Sequence, residues 1–248
     1  MKILLVGDSC SDIYHYGKCK RINPEAPVPI LDEQYYEVKS GMSSNVYANL
    51  KNLGMSVTHL KNKEKIEKHR LIDLTYRQQL IRYDVGEDNI SPLDITSLPT
   101  KCDIVVISDY NKGFITSSVA KNICNLYKNI PIFVDTKKKD LSCFSNCFIK
   151  INNIEHERLD YISPSCELIV THGGKGAIYK DQIYKTKQVE VYDVCGAGDV
   201  FLAALVYSYS KYKSIRTAIH TANKFASHSV TKLGSYVLTK KDIKILEQ

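Results

Sequence analysis

Short apolar runs that end on polar residues recur along this chain. Lys2 to Val6 closes on Gly7-Asp8, Ile104 to Ile107 on Ser108-Asp109-Tyr110, Ile132 to Val134 on Asp135, and Phe148 to Ile151 on Asn152. Leu168 to Thr171 runs into His172-Gly173-Gly174-Lys175-Gly176. Continuous apolar runs of this length fit strands buried on both faces, whose carboxyl ends deliver polar groups to one edge of a sheet. Helical spacing appears between them. From Ser43 to Leu53 the apolar positions are Val46, Tyr47, Leu50 and Leu53, with Ser43 or Ser44 as the expected cap and Gly54 as the stop. Thr116 caps a helix to Lys128, a helix-like piece begins at Glu155, and two helices close the chain, one after Asp199 and one over roughly 215–230. Strands alternating with helices predict an α/β fold with a mostly parallel central sheet covered on both faces.

Two regions break the alternation. Between Tyr14 and Val38, Pro24, Pro27 and Pro29 exclude helix and leave Val28 to Leu31 and Tyr35 to Val38 as short strands or extended chain. Arg70 to Thr75 and Gln79 to Val85 read as a hairpin, and together these stretches predict a small β excursion from the core. Ala177 to Tyr179 and Ile183 to Lys185 form a second hairpin, turning at Lys180 to Gln182.

A length of 248 residues suits one such domain spanning 1–248. With 44% hydrophobic and 25% charged residues the chain is not disordered. No apolar run approaches the roughly 18 residues of a membrane span, and no secretory signal opens the chain, so the expected location is cytoplasmic. Eight cysteines without a CxxC pair argue for reduced thiols rather than a zinc site. The formal charge of +7 comes from dispersed lysines, which form solvated faces or a site for phosphorylated ligands before they suggest nucleic acid.

The chemistry concentrates in Asp193-Val194-Cys195-Gly196-Ala197-Gly198-Asp199, which leads straight into an apolar helix. A helix N-terminus offers unpaired N–H groups and the positive end of the macrodipole, and glycines let an anion approach that backbone. A carboxylate in the first turn can take a proton from an attacking hydroxyl. The chain has no GxxxxGK[ST], HExxH or GxSxG motif and no complete dinucleotide fingerprint. What remains is convergence at the strand ends of Asp8, Asp109, Asp135, Asn152, Thr171 and the 196–199 turn.

These residues resemble the D-x-T-G-A-G-D signature of the ribokinase-like (PfkB) carbohydrate kinases, with Cys195 in place of threonine. The run Arg21-Ile22-Asn23-Pro24-Glu25-Ala26-Pro27-Val28-Pro29, the stretch Arg77 to Asp84, and Ser108-Asp109-Tyr110 with Lys112-Gly113 are similar to the D-glycero-β-D-manno-heptose-7-phosphate kinase branch. That branch is the kinase half of the bifunctional ADP-heptose synthesis proteins, whose nucleotidyltransferase half has no counterpart before Gln248. The resemblance implies a ribokinase-like fold with a β lid at about 14–38 and 70–85, ATP and Mg²⁺ as cofactors, and transfer to the anomeric hydroxyl of a heptose 7-phosphate. Another sugar or sugar phosphate as acceptor, or a binding relative without catalysis, is the alternative.

By the same resemblance Asp199 is the base, and the backbone of Gly196, Ala197 and Gly198 is the anion hole. Asn152, Asn153, Ile154 and Glu155 form the N-x-x-E element, with Glu155 acting indirectly on Mg²⁺. Thr171, Gly173 and Gly176 contact the nucleotide, and Asn223 with Lys232 to Ser235 walls the adenine. Asp8, Asp12, Gly41 and Asn45 meet the sugar hydroxyls. Lys112 and Arg21 are assigned to the sugar phosphate by charge. A homodimer through the lid is also implied. The chain departs from the family in placing Met42 after Gly41 and in a 54–68 span that lacks a strand and helix usual in the family.

Overall fold

The computed structural model describes residues 1–247. In chain order the elements are β1 (Lys2–Gly7), β2 (Ser9–Ile22), β3 (Pro29–Met42), α1 (Ser43–Asn52), β4 (Ser56–Lys61), β5 (Glu67–Asp73), β6 (Gln78–Val85) and β7 (Ile104–Asp109). There follow α2 (Ser117–Leu126), β8 (Ile132–Thr136), β9 (Asp140–Leu141), β10 (Cys147–Asn152), α3 (Asn153–Glu157), β11 (Tyr161–Ile162) and β12 (Glu167–Thr171). β13 (Ala177–Tyr179), β14 (Gln182–Tyr184), α4 (Ala197–Tyr212), α5 (Ile215–Ser229) and α6 (Lys240–Leu246) complete the chain.

Eight strands form the central sheet in the order β14-β13-β12-β10-β8-β7-β1-β4. β4, β1, β7, β8, β10 and β12 run parallel, and β13 and β14 are antiparallel. Strand alternation divides the core into two layers. Ile3, Leu5, Ile104 and Val106 pack under α1, α4 and α5, while Leu4, Val6, Val105 and Ile107 pack under α2. α4 is buried along nearly its whole first three turns, Asp199 included, which fixes its N-terminus at the carboxyl edge of the sheet.

The excursion is larger than the proline pattern predicts. β2 and β3 are 14 residues each, and with β5 and β6 they form a separate sheet in the order β3-β2-β5-β6. Ordinary alternation underestimates these strands because much of β3 and all of β6 is exposed and carries no apolar run. The chain passes from β1 into this sheet at Asp8 and returns through Met42 into α1.

Three local expectations are corrected. Neither Ser43 nor Ser44 caps α1: Met42 is the N-cap, at φ 55° and without a side-chain cap bond, while Ser43 Oγ turns to the Gly7 carbonyl and His59. α3 starts at Asn153 rather than Glu155, since Asn152 and Glu155 close a capping box. α6 is an additional closing helix, nucleated by the Thr239–Asp242 capping box.

Candidate active site

The turn before α4 is built for a backbone approach. Gly196 sits at φ 74°, and a Cβ there would lie 2.5 Å from Asn45 Nδ2. A Cβ on Gly198 would lie 2.8 Å from Lys150 Nζ. Among the described residues the N–H groups of Gly196, Gly198 and Asp199 have no partner, whereas that of Ala197 is directed to the Val194 carbonyl at 3.2 Å. The cradle predicted from three consecutive residues thus uses Gly196, Gly198 and Asp199, with Ala197 turned away. Beneath it the buried Lys150 ammonium pairs with Asp135 Oδ2 at 2.8 Å and brings a fixed positive charge to the same spot.

Asp199 is buried and doubly held. Tyr110 Oη donates to its Oδ1 at 2.8 Å and Asn45 Nδ2 to its Oδ2 at 3.1 Å. Burial pushes its carboxyl up to about 6; the Tyr110 and Asn45 hydrogen bonds and the Lys150 charge pull against that rise, and Asp135 adds to it. A carboxylate with this pKa is ionised at neutral pH and still basic enough to accept a proton.

Two cavities meet at this turn. One, about 210 Å³, is lined by Thr171, Gly173, Gly174, Gly176, Val189, Val191, Phe201, Asn223 and Val230 and reaches Ala197 and Gly198. Its walls are mostly apolar, with polar side chains such as Thr171 and Asn223 among them. Gly176 stands at φ 95°, and a Cβ there would lie 2.1 Å from the Tyr184 carbonyl. Asn223 Nδ2 donates to that same carbonyl at 2.6 Å.

The other cavity, about 320 Å³, opens on Gly196 and Asp199 and is lined by Cys10, Asp12, Met42, Lys68, Arg70, Arg82, Tyr110, Lys112, Lys137, Cys195 and Ser235. Strand alternation puts Asp12, Lys68, Arg70 and Arg82 on the face of the β2-β3-β5-β6 sheet that covers Asp199. Arg70 Nη2 reaches Asp12 Oδ1 at 3.2 Å, and Ser235 Oγ donates to Asp12 Oδ2 at 2.8 Å. Asp84, Glu87 and Glu155 pair with Lys68, Lys112 and Lys137 from behind, outside the lining. Burial alone would lower the Lys137 ammonium, but Asp135 and Glu155 outweigh it and hold its pKa above the ordinary value.

Several sequence-assigned residues take other places. Asp8 is buried and accepts from the backbone N–H groups of Tyr110 at 2.7 Å and of Lys112 and Phe114 at 3.4 Å. It shapes the 110–114 loop and does not line the charged cavity. Gly41 stands behind Asp12, where a Cβ would come within 2.6 Å of Oδ2. Arg21 is exposed opposite Ile30, roughly 30 Å along β2 from Asp12 at the usual rise per residue, so it is outside the cavity. Asn152, Asn153 and Ile154 line neither cavity; Asn152 accepts the Glu155 N–H, and Ile154 is exposed. Ser235 lines the charged cavity and not the apolar one.

Arg70, Lys68, Arg82, Lys137, Lys150 and Tyr110 were not assigned site roles from the residues alone. Lys150 had a usable signal, a lone lysine within the otherwise apolar strand Cys147–Asn152. For Mg²⁺, the described residues contain no cluster of three His, Cys, Asp or Glu side chains arranged as ligands. Both Glu155 oxygens are engaged, by Lys137 and the Asn152 N–H. Asp135 Oδ1 is buried without a partner and suits contact with the hydration shell of a Mg²⁺ held chiefly by phosphates.

Comparison with known proteins agrees with this geometry. Residues 149–242 match the pfkB family carbohydrate kinase model. The Bifunctional protein HldE of Campylobacter jejuni is 32% identical over 296 aligned positions, covering 98% of this chain and 64% of the relative. HldE of Nitratiruptor sp. is 30% identical, covering 100% and 65%. The chain therefore spans less than two thirds of these relatives' length, and alignments longer than its 248 residues leave dozens of their positions unmatched. Among solved structures, the ribokinase of Thermotoga maritima superimposes with a TM-score of 0.74 at 17% identity, covering 99% of this chain and 98% of that one. Arabidopsis thaliana ribokinase complexed with ribose and ATP gives 0.69 at 16%, covering 98% and 97%. The fold is ribokinase-like, and residues 149–242 carry the match to the pfkB family of carbohydrate kinases.

Proposed function

We propose that the protein transfers the γ-phosphate of ATP to the anomeric hydroxyl of a heptose 7-phosphate. The observation that carries the reading is the meeting of two unlike cavities at one turn: Ala197 and Gly198 face the apolar slot, and Gly196 and Asp199 face the charged one. The apolar slot suits a nucleotide base. The charged cavity sets five cationic side chains, Lys68, Arg70, Arg82, Lys112 and Lys137, against two carboxylates, which suits an acceptor that already carries a phosphate. The HldE name of the relatives supports the heptose, and the ATP-complexed ribokinase supports the donor.

In this reading Asp12, held by Arg70 and Ser235, orients the sugar hydroxyls. Asp199 accepts the proton of the attacking hydroxyl, and the N–H groups of Gly196, Gly198 and Asp199 stabilise charge on the transferred group together with Lys150. Mg²⁺, when bound with ATP, would supply neutralisation of the phosphate charge, and the unpartnered Asp135 Oδ1 would meet its hydration shell. The β2-β3-β5-β6 sheet covers the reaction and excludes water. The outer face of this lid exposes Tyr36, Val38, Ile81 and Tyr83, where the proposal seats a second copy; a monomeric mass in light scattering contradicts that part.

Met42 in the cavity wall and the short 54–68 span favour one second reading, the same transfer to a different sugar phosphate. ADP release measured over a panel of sugars and sugar phosphates tests both. Release with heptose 7-phosphate alone supports the first, release with another sugar phosphate the second, and no release with any of them contradicts the kinase reading.

A further inference from the structure

Three thiols converge outside everything the proposed reaction uses. Phe148 of β10 pairs with Glu167 of β12 in parallel register, so Cys147 and Cys166 stand side by side just before that ladder begins. Neighbouring strands lie about 4.8 Å apart, inside the Cα separation of roughly 4.4–6.8 Å that a disulfide spans. Residues level with each other in a parallel pair also point to the same face. Cys124 of α2 descends on that face, with its Sγ 3.5 Å from Cys147 Sγ, and all three belong to the core layer beneath α2. The cluster lies at the amino ends of the strands, opposite Asn152 and Thr171.

The three differ in access. Cys124 and Cys147 are buried, and Cys166 is half-buried. A hydrogen bond from Cys147, with further help from Ser165 and Ser163, holds the Cys166 thiol down to about 6. Cys147 also draws the Cys124 thiol down, but that thiol is buried, while burial lifts Cys195 and Cys102 to about 11 and Cys10 and Cys19 upward. Since the thiolate is the nucleophile, the cluster has an entry point at Cys166 and a buried partner beside it.

We propose that Cys166 and Cys147 form a redox-modification site that reacts with a small-molecule disulfide. Cys166 thiolate attacks one sulfur of that disulfide, forms a mixed disulfide and releases the first small thiolate. Cys147 then loses its proton, attacks Cys166 Sγ and releases the second small thiolate. The two protein thiols are oxidised by two electrons in all, and the small disulfide is reduced to two thiols, which take up the two protons. Cys124 borders the bond without being needed for it.

The test incubates the full chain with glutathione disulfide at about pH 7.5, where a thiol of ordinary pKa is only about one-tenth ionised. The expected result is loss of two of the eight thiols. Fragmentation spectra then place a bond between Cys147 and Cys166, and dithiothreitol reverses it. Cys166→Ser removes one sulfur of this bond, so the bond does not form and thiol loss in the cluster slows at least about tenfold. Cys147→Ala stops at one glutathione adduct on Cys166, and Cys124→Ala leaves the bond intact, with circular dichroism checking each fold. If Cys147→Ala does not fold, the bond location in the parent chain and in Cys124→Ala decides. Adducts confined to Cys19 or Cys102, no thiol loss, or thiol loss as fast in Cys166→Ser as in the parent chain overturn the proposal.

Discussion

The two cavities that meet at Gly196 to Asp199 are built in different ways. The apolar one is made of three short segments, around Gly173, Val191 and Gly198, together with one face of α5. The charged one draws one or two side chains each from β2, β3, β5, β6, the loop after β7, the loop after β8, the start of α4 with the turn before it, and the segment after α5. The first recognises shape through the chain itself and the second recognises charge through side chains brought together from distant positions. A change in the backbone cradle should therefore affect the chemistry for any acceptor, whereas a change in one cation should affect only acceptors with a matching phosphate.

The largest expected effect falls on the group both cavities share. Asp199→Asn should lower kcat by roughly 10² to 10⁴ while leaving the KM for ATP nearly unchanged, measured by ADP release. The same substitution should stabilise the fold. Because the folded-state pKa of Asp199 is raised to about 6, the folded protein takes up this proton before the unfolded chain does. Its contribution to stability therefore grows as pH falls from about 6 towards 4 and is least favourable above 6, so removing the charge gains about 1–3 kcal/mol near pH 7. Thermal unfolding of the two proteins at several pH values checks this.

Next, Lys112→Ala should raise the KM for the sugar phosphate by about 10- to 100-fold, through loss of a charge-assisted contact, with ATP unaffected. An equal rise for an unphosphorylated sugar would erase the proposed contrast between the cavities. Tyr110→Phe removes one of the two hydrogen bonds that lower the Asp199 pKa, so the acid limb of kcat/KM should move to higher pH and activity near pH 7 should fall about three- to tenfold. An unmoved limb would show that Tyr110 only fills space. The smallest effect is ionic strength: raising salt from about 0.05 to 0.5 M should weaken the acceptor a few-fold and ATP less.

The same contrast explains what sequence could reveal. The parallel strands were readable because burial on both faces makes them short apolar runs, and the cradle was readable because its glycines and aspartate are contiguous. Most of β3 is exposed and needs no apolar pattern, while β2 mixes polar residues such as Ser11, Asp12 and His15 into its inner half, so their 14-residue lengths come from pairing rather than composition. Asp8 looked like a ligand group because it ends a strand, yet three backbone N–H groups claim its carboxylate. Arg21 and Arg70 are both arginines near the lid. Only register and alternation distinguish them, placing Arg70 beside Asp12 and Arg21 at the far, exposed end of β2.

The central claim is phosphoryl transfer to a sugar that already bears a phosphate, and phosphorus NMR of the protein with Mg-ATP and heptose 7-phosphate tests it most directly. The expected spectrum shows ADP and a second sugar phosphate resonance coupled to the anomeric proton, absent with Asp199→Asn. Release of inorganic phosphate without a new sugar phosphate, or an unchanged spectrum with folded protein, would contradict it.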